Sequence, residues 1–218
     1  MKNKNSEFNQ YYFGNSRQEI FPFLPENFKT IIDVGCGYGY FLQYVKGRKP
    51  HVESWGIEYV EDVAKTLEGK LDHLIIGSIE DNYENLPTAY FDVICFNDVL
   101  EHLLDPDRVL QAVKSKLSFD GVIVGSIPNV RYFKNLYNLL VRKDWKYEDS
   151  GILDRTHLKF FTQKSILRMF RESGYDVVSI QGIFELKDLK YKLFNCMTFG
   201  FFGDSLFERY VFVVKKSK

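Results

Sequence analysis

The chain has 218 residues, 45% hydrophobic and 27% charged, with 29 basic side chains balancing 29 acidic ones. This composition excludes a disordered, collagenous or disulfide-stapled chain. Zero net charge removes any bulk electrostatic drive toward nucleic acid or a membrane surface, and the length suits one large domain or two small ones.

The cysteines Cys36, Cys95 and Cys196 are dispersed and form no C-x-x-C pair. They read as reduced thiols of a cytoplasmic protein rather than a disulfide framework or zinc ribbon. Met1 to Gln10 is polar and carries no apolar signal segment. The longest nearly uncharged apolar run, Leu193 to Gly203, is too short to cross a bilayer, so no transmembrane segment is expected. Aromatic residues reach 17% and crowd at the two ends of the chain.

Arg17 to Phe23 reads as a short helix stopped near Pro25. Thr30 to Val34 is a continuous apolar run, as expected of a strand buried on both faces. Gly35 to Gly39 is a glycine turn and Tyr40 to Lys46 a helix. Strands follow at Glu53 to Ile57, His73 to Ile76, Tyr90 to Phe96 and Gly121 to Ile127, with helices at Val60 to Glu68 and Asp105 to Leu117. After Pro128 the pattern changes. Tyr132 to Val141 is helix-like, and Arg142 to Arg155 is charged and irregular. Thr162 to Ser173 reads as an amphipathic helix, with Thr162 as N-cap and Gly174 closing it. Tyr175 to Gln181 and Glu208 to Val214 are strands, separated by an aromatic insertion. Five βα units followed by two strands imply one doubly wound sheet, with its ligand outside the carboxyl ends of the strands.

The sharpest local signal is Asp33-Val-Gly35-Cys36-Gly37-Tyr38-Gly39, after a strand and before a helix. Glycines turn the backbone tightly and let a ligand approach, and the helix start favours an electron-rich group. Glu58 stands at the end of the next strand, where a carboxylate accepts bonds from two ribose hydroxyls. A dinucleotide fold wants G-x-G-x-x-G, whereas the spacing here is G-x-G-x-G. A glycine connector without a ligand is the bland alternative.

In these residues the chain resembles the class I S-adenosylmethionine-dependent methyltransferases. Asp33 to Gly39 is similar to their first motif, Gly56 to Val60 to the acidic strand end, Gly77 to Glu80 to the adenine-framing loop, and Phe91 to Leu103 to the fourth-strand motif. The resemblance covers roughly residues 10 to 181. It implies a mostly parallel, seven-stranded Rossmann-like α/β sheet with helices on both faces, an antiparallel last strand and a small acceptor-side cap. It further implies S-adenosylmethionine as cofactor and S-adenosylhomocysteine as product. By position, Asp33, Gly35, Cys36, Gly37 and Gly39 shape the methionine end of the pocket. Glu58 holds the ribose with Tyr59 beside it, Ser78 and Ile79 border the adenine, and Asn97 and Asp98 lie near the methionine moiety. Tyr12 and Arg17 stand ahead of the first strand and are placed to close over the cofactor. Residues 1–28 then form an N-terminal helical lid on a domain of 29–218, with cap insertions at about 130–161 and 182–206.

A sulfonium methyl is already activated, so the protein must chiefly align the nucleophile and exclude water. For a hydroxyl acceptor a base also helps. His51 and His73 sit among charged residues and read as surface. His102 lies at the carboxyl end of the fourth strand. His157 lies in Gly151 to Thr162, a segment that resembles one in bacterial methyltransferases of sugar and polysaccharide pathways. His157 is the expected general base, oriented by Asp154, with Arg155 contacting an acidic or phosphorylated acceptor; His102 is the second candidate. The bland alternative has Asp154, Arg155 and Thr156 capping and pinning a loop around a hydrogen-bonded His157.

Asp98, Glu101, His102 and His157 also make an O,O,N,N set, similar to that of metal-dependent small-RNA 2′-O-methyltransferases. Asp98 stands there in place of glutamate, and basic residues near 142–146 alternate with acidic ones, so no metal and no nucleic acid are expected. Phe199-Gly-Phe-Phe-Gly203 reads as a stacking platform, a lid, a homodimer contact or a membrane-surface wedge, with lid or interface favoured. The expected activity is O-methylation of a small-molecule or saccharide acceptor. An inactive S-adenosylmethionine-binding module, a metal-assisted RNA methyltransferase and a nicotinamide oxidoreductase are the alternatives.

Overall fold

A computed structural model describes residues 16–217. Seven strands form one sheet: β1 (Thr30–Val34), β2 (Glu53–Glu58), β3 (His73–Ile76), β4 (Phe91–Asn97), β5 (Leu117–Pro128), β6 (Tyr175–Glu185) and β7 (Phe207–Lys216). Their order is β3-β2-β1-β4-β5-β7-β6. The pairs among β1 to β5 are parallel, and β7 runs antiparallel to both β5 and β6. The helices are α1 (Tyr40–Arg48), α2 (Glu61–Lys65), α3 (Ile79–Asn82), α4 (Pro106–Val113), α5 (Phe133–Leu140), α6 (Gln163–Glu172) and α7 (Leu189–Met197).

Alternation along the strands builds two cores. Ile32, Val34, Phe96, Ile123, Phe212 and Val214 face one side, where Leu110 and Val113 of α4 and Ile166 and Phe170 of α6 cover them. Ile31, Val93, Cys95, Val124 and Val211 face the other, against Phe41, Leu42 and Val45 of α1. Ile20 and Phe28 bury into that second core, so the described part of 1–28 packs on the sheet. Tyr12 lies outside the described residues.

Several boundaries differ from the sequence reading. Among the described residues, the segment before β1 makes only a 3-10 turn at Phe21–Phe23, because Pro22 and Pro25 lack the N–H donors a longer helix needs. The helix expected over Val60 to Glu68 is α2 plus turns, and that expected over Asp105 to Leu117 is α4 plus a 3-10 turn at Lys114–Lys116. Thr162 does cap α6, in a capping box with Ser165. The aromatic insertion resolves into the end of β6, helix α7 and a 3-10 turn at Gly203–Leu206.

Gly125 of β5 shows how tightly the sheet is drawn. A β-carbon there would overlap the carbonyl oxygen of Phe96 on the paired strand. Gly125→Ala is therefore expected to destabilise the fold by at least about 3 kcal/mol, since backbone cannot yield as a side chain can. Urea unfolding followed by far-ultraviolet circular dichroism checks this; a loss under about 1 kcal/mol would contradict the packing described.

The chain leaves β1 toward β2 and β3, then returns to β4 on the other side of β1. That reversal opens a crevice at the carboxyl ends of β1 and β4.

Candidate active site

The glycine turn lies at the mouth of this crevice. Gly35, Gly37 and Gly39 have φ of 69°, 53° and 70°, a region that penalises any residue with a β-carbon. The N–H groups of Gly35 and Cys36 donate to the Ile57 carbonyl at 2.8 and 3.0 Å, tying the bend to β2. Cys36 is buried, and burial pushes its thiol up, so it packs rather than reacts.

Glu58 is 4% exposed. Its Oε2 accepts the Gly37 N–H and its Oε1 the Val60 N–H, both at 2.8 Å. The carboxylate thus fixes the turn, and each oxygen keeps a further acceptor position. Tyr59 beside it is 75% exposed. Ser78 caps α3 by accepting the Glu80 N–H at 3.0 Å, and Ile79 is buried behind it.

Across the crevice, Asn97 ends β4, and its Nδ2 donates to Asp33 Oδ1 at 3.0 Å. Both residues are buried. Burial pushes the Asp33 carboxyl up to about 7, against the opposing pull of Asn97 and the Arg17 charge. Asp98 follows with φ of 54°. Its Oδ2 accepts Arg17 Nη1 at 2.6 Å and lies 2.9 Å from Arg209 Nη1, while its Oδ1 accepts the Ser126 hydroxyl at 2.6 Å. Although burial opposes ionisation, the two arginines hold this carboxyl below its usual range.

One turn on, Glu101 is 1% exposed, and burial with the Asp98 charge nearby pushes its carboxyl well above the ordinary range. Its backbone carbonyl accepts the N–H groups of Leu158 and Lys159 at 2.8 and 3.0 Å. Those bonds carry the 151–162 loop onto the 3-10 turn Leu100–His102 after β4 and bring His157 to Glu101, Nε2 to Oε1 3.9 Å. The His102 and His157 rings pack edge to face with centroids 4.6 Å apart. One donor atom from each of Glu101, His102 and His157 falls within 4.8 Å of the others.

His157 Nδ1 meets the Ile152 carbonyl at 2.9 Å, and His102 Nδ1 meets the Thr156 carbonyl at 3.2 Å. A carbonyl only accepts, so each Nδ1 carries the proton and each Nε2 the lone pair. Burial lowers the pKa of both rings, and neutral imidazoles of this kind accept protons or coordinate cations. Asp98, the fourth member of the O,O,N,N set, faces the arginines instead.

Asp154 meets His157 through its backbone, its carbonyl accepting the His157 N–H at 3.1 Å, while its carboxylate turns to Thr156. Its Oδ1 accepts the Thr156 N–H and hydroxyl at 2.8 and 2.7 Å, which makes it the pin of the loop. Arg155 is exposed and lies 3.2 Å from Asp149. The aromatic segment divides as well. Phe194 packs edge to face on Phe133 and also meets Phe202, whereas Phe199 is fully solvent-exposed and Phe201 largely so.

Among the described residues, the buried side-chain polar atoms without a partner are Asn97 Oδ1, both oxygens of Glu101 and Arg209 Nε. All belong to this one place, at the ends of β4 and β7. Buried polar groups are nearly always paired, so these atoms call for a partner such as water or a ligand group. Arg209 had no signal in the sequence beyond a charge at the start of an apolar strand.

The sheet order and the glycine bend over an anchored carboxylate define an α/β enzyme of Rossmann-like methyltransferase architecture. The chain belongs to the methyltransferase-domain family, whose model matches residues 6–180. It is 27% identical over 166 residues to a ubiquinone biosynthesis O-methyltransferase of Neisseria meningitidis serogroup C, covering 71% of this chain and 67% of that one. The corresponding protein of Vibrio atlanticus is 31% identical over 162 residues, covering 71% and 66%. Among solved structures, a SAM-dependent methyltransferase from Archaeoglobus fulgidus superposes with a TM-score of 0.69 at 22% identity, over 95% of this chain and 94% of that one. Among the described residues no helix is long and apolar enough to cross a membrane.

Proposed function

We propose that the protein transfers a methyl group from S-adenosylmethionine to a hydroxyl oxygen of a small organic acceptor, leaving S-adenosylhomocysteine. The observation that carries this reading is the group of partnerless buried polar atoms beside the glycine bend. When bound, the sulfonium supplies a methyl whose leaving group is a neutral thioether. Glu58 holds the ribose while it holds the turn, and Gly35, Gly37 and Gly39 admit the cofactor without β-carbons in its way. Ser78 and Ile79 border the adenine, and Asp33 and Asn97 serve the methionine end. His157 takes the acceptor proton on Nε2, with His102 packed against it and Asp154 keeping the loop in place. The relatives named for ubiquinone biosynthesis favour a phenolic hydroxyl, while the likeness of residues 151–162 to sugar-pathway enzymes favours a saccharide.

Titration calorimetry with S-adenosylhomocysteine and with NAD, followed by transfer of labelled methyl from S-adenosylmethionine to a panel of phenols and sugars, tests this. Micromolar binding of the first, none of NAD, and label in an ether product are expected. Binding of NAD alone would overturn the reading.

Cofactor binding is also expected to depend on pH. The raised Asp33 pKa means the free protein keeps this proton up to about pH 7. A ligand ammonium nearby favours the ionised form, so binding releases the proton and tightens as pH rises through 7. Affinity for S-adenosylhomocysteine should rise roughly tenfold between about pH 6 and pH 8, with the slope lost in Asp33→Asn. Calorimetry in buffers of different ionisation enthalpy measures the released proton directly; its absence in the wild type would remove Asp33 from the linkage.

A further inference from the structure

We infer that the cap built by α5 and α7 docks on an anionic phospholipid bilayer, with the outer face of α7, Phe199 and Phe201 entering the headgroup layer. The inference goes beyond methyl transfer and does not rest on it.

Neither helix buries a residue, although apolar side chains recur along both. The two lean on each other: the Phe133 ring meets those of Tyr191 and Phe194 with centroids 4.7 and 5.4 Å apart. That contact uses one face of α7. Leu189, Leu193 and Met197 are each more than half exposed, at the four-residue spacing that puts side chains on one stripe. Phe202 packs on Phe194 and holds Phe201 beside it, and Phe199 stands fully in solvent. On α5, Tyr137 and Leu140 make a second exposed stripe that Val141 continues. Apolar stripes gathered in this way mark a contact surface.

The charge around them selects the partner. Residues 131–147 carry Arg131, Lys134, Arg142, Lys143 and Lys146 against a single acid, Asp144. Arg131 is held by Asp204, while Lys190 and Lys192 of α7 lie by Asp188 and Glu185. Lys134, Arg142, Lys143, Lys146 and Lys187 have no ion pair among the described residues. Of the acids that follow, Glu148 and Asp149, the second faces Arg155. Cations also stand beside the exposed rings, Arg142 at 5.6 Å from the centre of Tyr137 and Arg131 at 5.9 Å from that of Phe201. In a chain of zero net charge this is a local positive excess. Lipid phosphates attract such cations while apolar side chains settle among the acyl chains below them. A second copy seated on the same face would bring like charges together. The cap follows the carboxyl ends of β5 and β6, so docking holds that edge of the sheet at the bilayer. Helix α7 and the aromatic loop lie beyond residue 180, where the match to the family model ends.

Flotation of the full chain with vesicles tests the docking, using phosphatidylcholine alone and phosphatidylcholine mixed with phosphatidylglycerol. The wild type should bind the anionic vesicles at least about tenfold more tightly than the neutral ones, and salt at about 0.5 M should remove most of that difference. Phe199→Ser combined with Phe201→Ser should weaken binding to anionic vesicles at least about tenfold. Arg142→Gln combined with Lys143→Gln should do the same, at about fivefold for each charge lost. All four side chains are exposed, and far-ultraviolet circular dichroism checks that each variant keeps its fold. A wild type that stays behind with the buffer, equal binding to both vesicles, or binding unchanged in either variant would overturn the inference. So would a dimer in sedimentation velocity that the Phe199 and Phe201 substitutions dissociate, without vesicle binding, because the face would then belong to a second copy. A wild type that floats with anionic vesicles but binds no S-adenosylhomocysteine would uphold the docking and bring down the methyltransferase reading alone.

Discussion

Replacing His157 by glutamine should lower turnover by two to four orders of magnitude, the usual worth of a positioned general base, with S-adenosylhomocysteine affinity within about twofold of wild type. The physical grounds are local. The Ile152 carbonyl fixes the Nδ1 proton, so Nε2 holds the lone pair and points toward Glu101. Burial lowers the ring's pKa, so the base form persists below the ordinary histidine value of about 6.5, and the rate should fall only on the acid side of it. Glutamine can still donate to Ile152 but cannot accept a proton to keep. His102→Gln should cost less, because that ring is less buried and its Nδ1 is shared between the carbonyl and hydroxyl of Thr156. Single-turnover rates with a labelled methyl donor separate the two. Equal losses would move the base role to the pair, and a His157→Gln rate within threefold of wild type would end it.

Glu58→Ala should cost at least about a hundredfold in affinity for S-adenosylhomocysteine. Two backbone N–H groups, of Gly37 and Val60, lose a charged acceptor at 2.8 Å, and hydrogen bonds to charged groups contribute about 1.5–3 kcal/mol each. The glycine turn then loses one of its ties to β2, keeping the Gly35 and Cys36 bonds to the Ile57 carbonyl, and the ribose loses its acceptor at the same time. Glu58→Gln keeps one acceptor oxygen and should lose less. Calorimetry gives the affinities, and thermal unfolding separates loss of the turn from loss of the contact. An alanine variant that binds normally would mean that the carboxylate serves the turn alone and the ribose is held elsewhere.

Part of this site was legible because it is local. A strand, a glycine bend and a helix start follow one another between Thr30 and Tyr40, and φ above zero at Gly35, Gly37 and Gly39 is what such a bend demands. Glu58 and Asn97 sit at the ends of apolar runs, so their placement at the carboxyl edge follows once the strands are parallel. For Asp154 the sequence left two roles open, orienting His157 or pinning the loop. Three residues from His157, it reads as its partner, but a carboxylate bonding two residues onward to Thr156 is the closer closure. The exposure of Phe199 agrees with the surface role read for its segment.

What the sequence by itself determined is the cofactor half of the molecule, because hydrophobic period, glycine spacing and strand-end acids are properties of short segments. Only the tertiary structure decided which distant residues meet beyond the end of β4. Arg17 and Asp98 are 81 residues apart, and Arg209 reaches the same carboxylate because β7 inserts antiparallel between β5 and β6. His157 meets Glu101 because the 151–162 loop hangs from that residue's carbonyl. Contacts of that kind depend on which strands become neighbours, and no local pattern of residues carries that information.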